Sequence, residues 1–364
     1  MKHKPSGSEK DKDIPHQSDN KVEAEKSSHV KDIDLDLQDV EGIGPTTVKK
    51  LNDVGIRTVM DLAVASIDLL AVDINCSKDS AALFILSAQR LLRESNVLEK
   101  EFVTADFVLE KRNSMLRCST GSKSLDELLL GGIETQAVTE FYGEFGSGKS
   151  QICHTLCAMA KQPISKGGLE GGTIYIDTEG TFRPERLQQI AESRGFDASE
   201  VLKNTTTCKV YNSSHLELII KDLGKYINEF NTKLIVIDSI ISLHRAEFLG
   251  RGTLADRQQR LNSILHKLVR IAEIFNVAVV ITNQVQTSPD TFFGDPTKAA
   301  GGNVIGHTST YRIYLRKSGE NRIAKMIDSP YHPYSDIRFT INQKGVDDLE
   351  DSRNRNKKIE GGAD

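Results

Sequence analysis

A long polar stretch opens the chain. In the first 31 residues only Ile14, Val22 and Val30 are sizeable aliphatic side chains, and polar or charged residues fill most other positions. Such a stretch cannot bury enough apolar surface to offset the entropy lost on folding. We therefore predict a disordered tail over residues 1–34, and we expect a second, flexible tail over residues 351–364.

Apolar positions at helical spacing follow over residues 35–98. The segment "VEGIGPTTVKKLNDVGIRTVMDLAVAS" predicts short helices separated by Gly42, Gly44 and Gly55. The segment "SAALFILSAQRLLRES" predicts a longer helix near residues 80–95, because its apolar side chains recur every three to four positions. A small all-α domain is the expected result.

From residue 113 the pattern changes to apolar strands that alternate with amphipathic helices. The strands are "AVTEFY", "TIYIDTE", "LIVIDS" and "VAVVITNQV". This alternation is typical of an α/β fold with a largely parallel sheet. Near the end, the close-set strands "YRIYLRK", "RIAKMID" and "IRFTIN" predict an antiparallel extension. We assign residues 113–350 to one α/β domain and residues 99–112 to a linker.

The composition is that of a globular protein with some disordered sequence. Charged residues make up 27% of the 364 positions and hydrophobic residues 38%. No run approaches the roughly 18 apolar residues of a membrane helix, and the polar N-terminus does not resemble a signal peptide. We expect a cytoplasmic protein, or a nuclear one if the source is eukaryotic. The net charge of −4 means that any nucleic-acid binding must rely on local basic patches.

Five cysteines stand at positions 76, 118, 153, 157 and 208. Cys153 and Cys157 have helical spacing, but no second pair or histidine cluster completes a zinc site. We predict buried, reduced thiols.

The segment "GEFGSGKS" fits the phosphate-loop pattern G-x-x-x-x-G-K-[ST]. It follows a predicted strand and opens a predicted helix, which argues against a chance match in a glycine-rich turn. Its backbone N–H groups would hold phosphate oxygens, Lys149 would reach the β- and γ-phosphates of ATP, and Ser150 would ligate Mg²⁺. The residues expected to contact the nucleotide are Gly143, Glu144, Phe145, Gly146, Ser147, Gly148, Lys149, Ser150 and Gln151.

Polar residues end the neighbouring strands of the predicted sheet. Asp238 ends "LIVID" and is a second candidate ligand for Mg²⁺, since the carboxyl ends of parallel strands meet beside the phosphate loop. Glu179 follows "YIDT" and could polarise the water that attacks the γ-phosphate. Gln284 ends "VVITN" and would face the same phosphate. Arg183 and Arg186 could stack on an adenine, or could form surface ion pairs.

Several ordered motifs together resemble the RadA recombinases of archaea and their eukaryotic homologues. They are "TGSKSLDELLLGGIETQAVTEFYGEFGSGKSQICHTL", "YIDTEGTFRPERL", "GRGTLADRQQ", "ITNQV", "FFGDPTKAAGGN" and "IDSPYHP". The resemblance covers roughly residues 35–350. It implies a RecA-like P-loop ATPase core and a small all-α helix-hairpin-helix domain at the N-terminus. It also implies helical filaments on single-stranded DNA, and homologous pairing and strand exchange driven by ATP and Mg²⁺.

The resemblance also assigns roles to individual residues. It implies that Glu179 is the catalytic carboxylate, that Arg186 stacks on the adenine and that Gln284 senses the γ-phosphate. It implies that His307 couples the ATP site to a DNA loop. The segment "DSPYHP", from Asp328 to Pro333, would cover the ATP of a neighbouring subunit.

Two segments are candidates for DNA contact. In the first, residues 244–270 hold six Lys/Arg against two acids, and Arg245, Arg251 and Arg257 are the expected contacts. The alternative is a solvated helix face formed by Arg257, Arg260, Lys267 and Arg270.

The second segment, "QTSPDTFFGDPTKAAGGNVIG", is long and rich in glycine and proline, as functional loops often are. Phe292 would contact bases or another subunit, or would pack back on the domain. Gly301, Gly302 and Asn303 would approach phosphates. In the N-terminal domain, "EGIGPTTVKKL" resembles a helix-hairpin-helix, which would bind a phosphate or be purely structural.

The linker contains "EFVTADF", whose alternating apolar residues predict a short strand. Recombinases of this family carry a Phe-x-x-Ala hook between their domains, and Phe102 and Ala105 match it. The resemblance implies that this strand adds to the sheet of the next subunit. The alternative is that Phe102 packs on its own domain.

Two other function classes share the nucleotide site. A hexameric helicase or another RecA-fold motor would need directional unwinding, and the hairpin domain and linker strand argue against it. A regulatory recombinase paralogue would bind ATP and load other proteins, whereas the intact phosphate loop and Glu179 favour hydrolysis. For the recombinase itself, the expected partners are single-stranded and double-stranded DNA, further copies of the chain, and recombination mediators and paralogues.

Overall fold

A computed structural model describes residues 35–95, 102–248, 251–287 and 297–349. Both predicted tails lie outside these ranges, as do Glu101 and Phe292. For Arg251 and Asn303 the backbone is described and the side chain is not. In this part of the chain no helix is both long and apolar enough to cross a membrane.

Residues 35–95 form the predicted all-α unit. Buried Leu51, Leu62 and Ile85 belong to one apolar cluster that the helices enclose. Thr58 and Asp61 form a reciprocal capping box at the start of the second helix, which fixes where that helix begins. The helices are α1 (Pro45–Asp53), α2 (Val59–Ala63), α3 (Ile67–Asp73) and α4 (Lys78–Glu94).

The prediction of a strand in the linker is wrong. Instead of a strand over "EFVTADF", the structure has helix α5 (Ala105–Ser114), and Phe102 precedes it with 93% of its surface exposed. Asp106 lies in the first turn, Lys111 and Arg112 in the last, which suits the helix dipole. A lone strand would have unpaired backbone groups in the single chain, whereas a helix satisfies its own. The hook contact itself stays a prediction.

A nine-stranded sheet forms the centre of the α/β domain. Its order is β13-β12-β11-β10-β3-β7-β6-β4-β5, with parallel pairing from β10 through β5 and antiparallel pairing from β10 through β13. The predicted parallel sheet with an antiparallel extension is confirmed. The strands of the domain are β1 (Arg117–Cys118), β2 (Ile133–Glu134), β3 (Val138–Gly143), β4 (Gly172–Asp177), β5 (Thr205–Lys209), β6 (Thr232–Asp238), β7 (Ala278–Asn283), β8 (Val285–Thr287), β9 (Thr297–Ala299), β10 (Tyr311–Ser318), β11 (Asn321–Asp328), β12 (Asp336–Asn342) and β13 (Gly345–Asp347).

Helices cover both faces of this sheet, so the central strands are apolar on both sides. Tyr175 and Val236 face one apolar cluster, while Ile174 and Ile235 face the other. The helices are α6 (Lys123–Leu128), α7 (Lys149–Ala160), α8 (Pro184–Ser193), α9 (Ala198–Lys203), α10 (Ser213–Lys221), α11 (Leu223–Glu229), α12 (Ser242–Glu247), α13 (Leu254–Phe275) and α14 (Asn303–Thr308).

The cysteine prediction is partly right. Cys118, Cys153 and Cys157 are buried free thiols, and burial raises the pKa of each. Cys76 and Cys208 are only half-buried.

The helical domain contacts the α/β domain through charged groups. Lys221 forms an ion pair with Asp73. Lys267, on α13, is half-buried near Asp61, Asp73 and Asp222, so it does not belong to a solvated helix face as the alternative interpretation had it. Burial lowers its pKa to about 8, with neighbouring Lys221 acting in the same direction.

The lowered pKa of Lys267 predicts that the stability of the protein depends on pH. Its pKa is about 8 in the folded state against 10.5 for an unperturbed lysine, so between these values the unfolded chain binds more protons. The free energy of unfolding should therefore rise with pH over that window, by roughly 1–3 kcal/mol in total. Urea unfolding at several pH values should show that Lys267→Met removes this rise. The exposed Lys225→Met should keep it, and a Lys267→Met curve parallel to that of the unchanged protein would contradict the assignment.

Candidate active site

The phosphate loop joins β3 to α7 and has the backbone shape that its glycines predict. Gly146 and Gly148 have φ values of 74° and 108°, a region that other residues enter only at a cost. A Cβ on Gly143 would lie 2.1 Å from the carbonyl oxygen of Leu315, so only glycine fits there. Phe145 points fully into solvent at the tip of the loop.

Lys149 is held at the mouth of this loop. Its Nζ donates hydrogen bonds of 2.9 Å to the carbonyl oxygens of Gly143 and of Glu144. Burial lowers the pKa of Lys149, and the carboxylates of Asp238 and Glu179 oppose that shift. A phosphate group would replace the two carbonyl oxygens with a full negative charge, which is a better partner for a partly desolvated ammonium group.

The loop passes a simple test of fit to a phosphate. Ser147 is buried within it, and its Oγ has no hydrogen-bond partner in the described part of the chain. Buried hydroxyl groups are rarely left without a partner. A ligand in the loop would supply one.

Asp238 ends β6 beside Asp177, which ends the neighbouring β4. Its Oδ2 accepts a 2.7 Å hydrogen bond from the hydroxyl of Tyr175, and its Oδ1 accepts one from Thr282. These two donors keep the carboxylate at the edge of the sheet on which the phosphate loop lies. Its predicted role with Ser150 as a Mg²⁺ ligand agrees with this position and stays a prediction.

Asp177 organises the turn that carries the candidate catalytic residue. Its two oxygens accept four backbone N–H bonds, from Glu179 at 3.2 Å, Gly180 at 2.7 Å, Thr181 at 3.1 Å and Phe182 at 3.1 Å. The sequence located Asp177 at the end of a strand but gave it no role. An aspartate followed by "TEGT" is the signal, since Asp side chains commonly bond to backbone N–H groups just ahead of them.

Glu179 lies in a chain of hydrogen bonds that crosses three strand ends. Its Oε1 accepts bonds from Ser239 Oγ at 2.7 Å and from Gln284 Nε2 at 2.9 Å. The other side-chain atom of Gln284, Oε1, accepts a 2.8 Å bond from Arg245 Nη1. The structure thus brings together the predicted catalytic carboxylate, the predicted phosphate sensor and one predicted DNA contact.

His154 is a site residue that the sequence did not identify. Its Nδ1 lies 2.7 Å from the carbonyl oxygen of Ser150, and its Nε2 accepts a 3.1 Å bond from the backbone N–H of Arg183. Burial lowers the pKa of His154, which favours the neutral ring with its proton on Nδ1. The ring stacks on Phe182 and so joins the first turn of α7 to the segment before α8.

Neither predicted adenine-stacking arginine forms an ion pair within the described residues, so the ion-pair alternative is wrong for both there. Arg186 donates to Gln151 Oε1 at 2.8 Å and to the carbonyl oxygens of Asn342 and Gln343. Arg183 donates to two nearby carbonyl oxygens. Pro184 is the first residue of α8, a position that its fixed φ suits.

Most of the described part of the first candidate DNA segment is helical. It contains α12, a short 3₁₀ turn at Arg251–Thr253 and the long amphipathic α13. Arg260 is paired with Glu217 at 2.9 Å, so its charge is largely satisfied within the protein. Arg245 is exposed, and Arg257 is half-buried with no partner for its Nε in the described structure.

The second candidate segment is bounded by a two-stranded ribbon. β8 and β9 pair antiparallel and lead to Gly301 and Gly302, both at positive φ. The glycines are therefore required by the backbone, whatever else they contact. His307 lies exposed on α14, which follows directly.

Asp328 and Pro333 do not lie at the phosphate loop of their own chain. Asp328 pairs with Arg312, and Arg312 pairs with Glu140 inside β3, whereas the phosphate loop begins at Gly143. The loop after Asp328 extends away from that end and contacts Glu134, which precedes β3. The phosphate loop follows the carboxyl end of β3, and the loop after Asp328 lies near the amino end of β3. For a strand of this length the two ends are about 15–20 Å apart.

The site and the fold define an α/β domain with a phosphate-loop motif on a mixed sheet, preceded by a helical domain at the N-terminus. Residues 111–349 match the family Rad51, and residues 34–90 match the SAM-like helix-hairpin-helix tandem. The chain is 50% identical over 318 residues to the DNA repair and recombination protein RadA of Cenarchaeum symbiosum (strain A), which covers 87% of this chain and 80% of that protein. The chain belongs to the Rad51 family.

The geometry predicts different outcomes for two site variants. Glu179→Gln keeps the size of the side chain and loses the charge, so ATP should still bind while hydrolysis slows by about 100-fold or more. Lys149→Ala removes the phosphate-loop cation and should abolish nucleotide binding. Titration with a fluorescent ATP analogue and a phosphate-release assay separate the two effects. Normal turnover by Glu179→Gln would move the catalytic role to another residue.

Proposed function

We propose that this protein is an ATP-dependent DNA recombinase that assembles into helical filaments on single-stranded DNA and catalyses homologous pairing and strand exchange. The observation that carries the proposal is the position of the loop from Asp328 to Pro333. It lies near the amino end of β3, whereas the phosphate loop follows the carboxyl end of that strand. If this loop covers ATP, as the family resemblance implies, the ATP must belong to a neighbouring subunit.

An open sheet edge supports the same assembly. β5 ends the sheet and pairs only with β4 among the described strands. Its unpaired backbone groups could accept an added strand from a second chain. The exposed Phe102 and the residues around it are the candidate for that strand. A contact between two different surfaces of identical subunits generates an open helix unless the rotation closes a ring.

The ATP site would act as follows. The phosphate loop and Lys149 would bind the phosphates, and Ser150 and Asp238 would hold Mg²⁺, which would supply positive charge next to the phosphate oxygens. Glu179, oriented by Ser239, accepts a proton from the attacking water. Binding of a γ-phosphate would compete for Gln284, which in this structure bridges Glu179 and Arg245.

DNA would bind at the surface that contains Arg245, Arg251 and Arg257 and the loop with Phe292, Gly301, Gly302 and Asn303. Arginines there neutralise phosphates without reading sequence. The bridge from Arg245 through Gln284 to Glu179 supports a direct connection between this surface and the ATP site. We place the protein with DNA in the cytoplasm, or in the nucleus of a eukaryote.

The test is electron microscopy of the full chain with single-stranded DNA and a non-hydrolysable ATP analogue. Long helical filaments that form only with nucleotide are expected. Closed hexameric rings that unwind duplex DNA would support a helicase motor instead, and ATP binding without filaments would support a regulatory paralogue.

The hook predicts the behaviour of one further variant. Phe102→Glu places a charge where an apolar pocket of the neighbour is expected, so the protein should stay folded and monomeric. Filaments and DNA-stimulated ATP hydrolysis should be lost together, while weak ATP binding remains. Size-exclusion chromatography with light scattering measures the assembly, with Val108→Glu, on a nearby half-exposed position of α5, as the matched control. Assembly equal to that of the unchanged protein would favour packing of Phe102 within its own chain.

A further inference from the structure

A buried carboxylate lies outside the ATP chemistry. Glu134, the last residue of β2, is 3% exposed and accepts hydrogen bonds from four residues, of which three lie within 3.0 Å. Arg112 donates at 3.0 Å, Arg117 at 2.9 Å and the hydroxyl of Tyr311 at 2.9 Å. A carboxylate this deep needs such partners, because a buried charge without ion pairs and hydrogen bonds is costly.

The same cluster holds the loop that follows β11. The hydroxyl of Tyr331 lies 3.4 Å from Glu134 Oε2, and the guanidinium of Arg112 lies over the Tyr331 ring at 5.2 Å from its centre. The ring of His332 contacts Tyr331 at 4.4 Å and packs edge-on against Tyr311 at 5.1 Å between ring centres. Two successive side chains of the loop therefore contact one cluster.

The loop is also ordered within itself. Ser329 Oγ lies 2.6 Å from His332 Nδ1. It also accepts hydrogen bonds from the backbone N–H groups of Tyr331 and His332. A 3.0 Å bond from the N–H of Met326 to the carbonyl oxygen of Ser335 closes its base. The loop thus has its own internal shape, and its contacts with the cluster fix its position on the domain.

Arg112 connects this cluster to the linker. It lies in the last turn of α5, and no residue of α5 is buried. The guanidinium nevertheless reaches Glu134, the hydroxyl of Tyr311 and the face of Tyr331. A planar group with several donors can serve all three partners at once, and a lysine could not.

We propose that Arg112, Glu134 and Tyr311 form a seat that positions the loop Ser329–Pro333 and connects it to the linker helix. This inference rests on the proposed function, in which that loop covers the ATP of a neighbouring subunit. The linker residues Phe102 to Thr104 lead directly into α5, so docking of the linker on another subunit would fix α5 and, through Arg112, the loop. The seat is a positioning site: its residues act on ATP through the loop.

The decisive variant is Tyr331→Phe, which removes one hydroxyl and keeps the ring that contacts Arg112 and His332. In filaments on single-stranded DNA, the Kd for a fluorescent non-hydrolysable ATP analogue should rise about three- to tenfold. The KM for ATP should rise by the same factor with kcat little changed, since the loop contributes binding and not chemistry. The matched control is Tyr334→Phe, one residue after the loop on a side chain that is 72% exposed, which should leave both constants unchanged.

A double-mutant cycle tests the connection to α5. Arg112→Lys keeps the charge but cannot bridge the three partners, so it should weaken analogue binding about as much as Tyr331→Phe. The double variant should be no weaker than either single one, because residues of one cluster do not act independently. Thermal unfolding of each variant shows whether the fold is intact.

Separated subunits supply a readout that a loss of stability would not give. In a Phe102→Glu background that light scattering shows to be monomeric, Tyr331→Phe should not change analogue affinity, because no neighbour's loop is present. An equal loss of affinity in monomers and filaments would overturn the seat, as would a Tyr331→Phe filament with unchanged affinity or multiplying effects in the cycle. Failure of the proposed function looks different, since the unchanged protein would then form no nucleotide-dependent filaments on DNA.

Discussion

The arrangement of the molecule depends on one constraint: the strands β10, β3, β7, β6 and β4 run in the same direction, so their carboxyl ends share one edge of the sheet. The phosphate loop, Asp238 and Gln284 all follow strands at this edge. No long-range loop is needed to bring them together, because the buried sheet does so. The same constraint puts the loop after β11 at the other edge, because β11 runs antiparallel to β10.

The side chains at the shared edge form one connected hydrogen-bond system. Asp177 shapes the turn that carries Glu179, and Glu179 accepts a bond from Gln284. Gln284 in turn accepts a bond from Arg245 on the surface proposed for DNA. When one of these hydrogen bonds breaks, the side chain that made it is free to bond elsewhere. The neighbouring side chain then loses a partner and must find another. In the proposed mechanism, a change of hydrogen-bond partner by Gln284 would therefore be enough to connect the ATP site with the proposed DNA surface.

Much of this could be predicted from the sequence, for local reasons. The phosphate loop is a contiguous motif, and the buried strands are short apolar runs bounded by turns. Other features depend on residues far apart in the chain. The bond between His154 and the backbone of Arg183, and the cluster of Arg112, Glu134 and Tyr331, show no periodic or local pattern. The predicted linker strand was wrong because alternation over so few residues is weak evidence. The charges at the two ends of the segment suit a helix, with Asp106 in its first turn and Lys111 and Arg112 in its last.

The separation of the two edges has a consequence for the ends of any assembly. In the proposed filament, each ATP site is completed by the loop of an adjacent subunit, so an open chain always leaves one terminal site incomplete. In a short oligomer the incomplete ATP site would be a large fraction of all ATP sites, and in a long filament it would be a negligible fraction. ATP turnover per subunit would then depend on assembly length, and growth at an end would complete the site that had been open there.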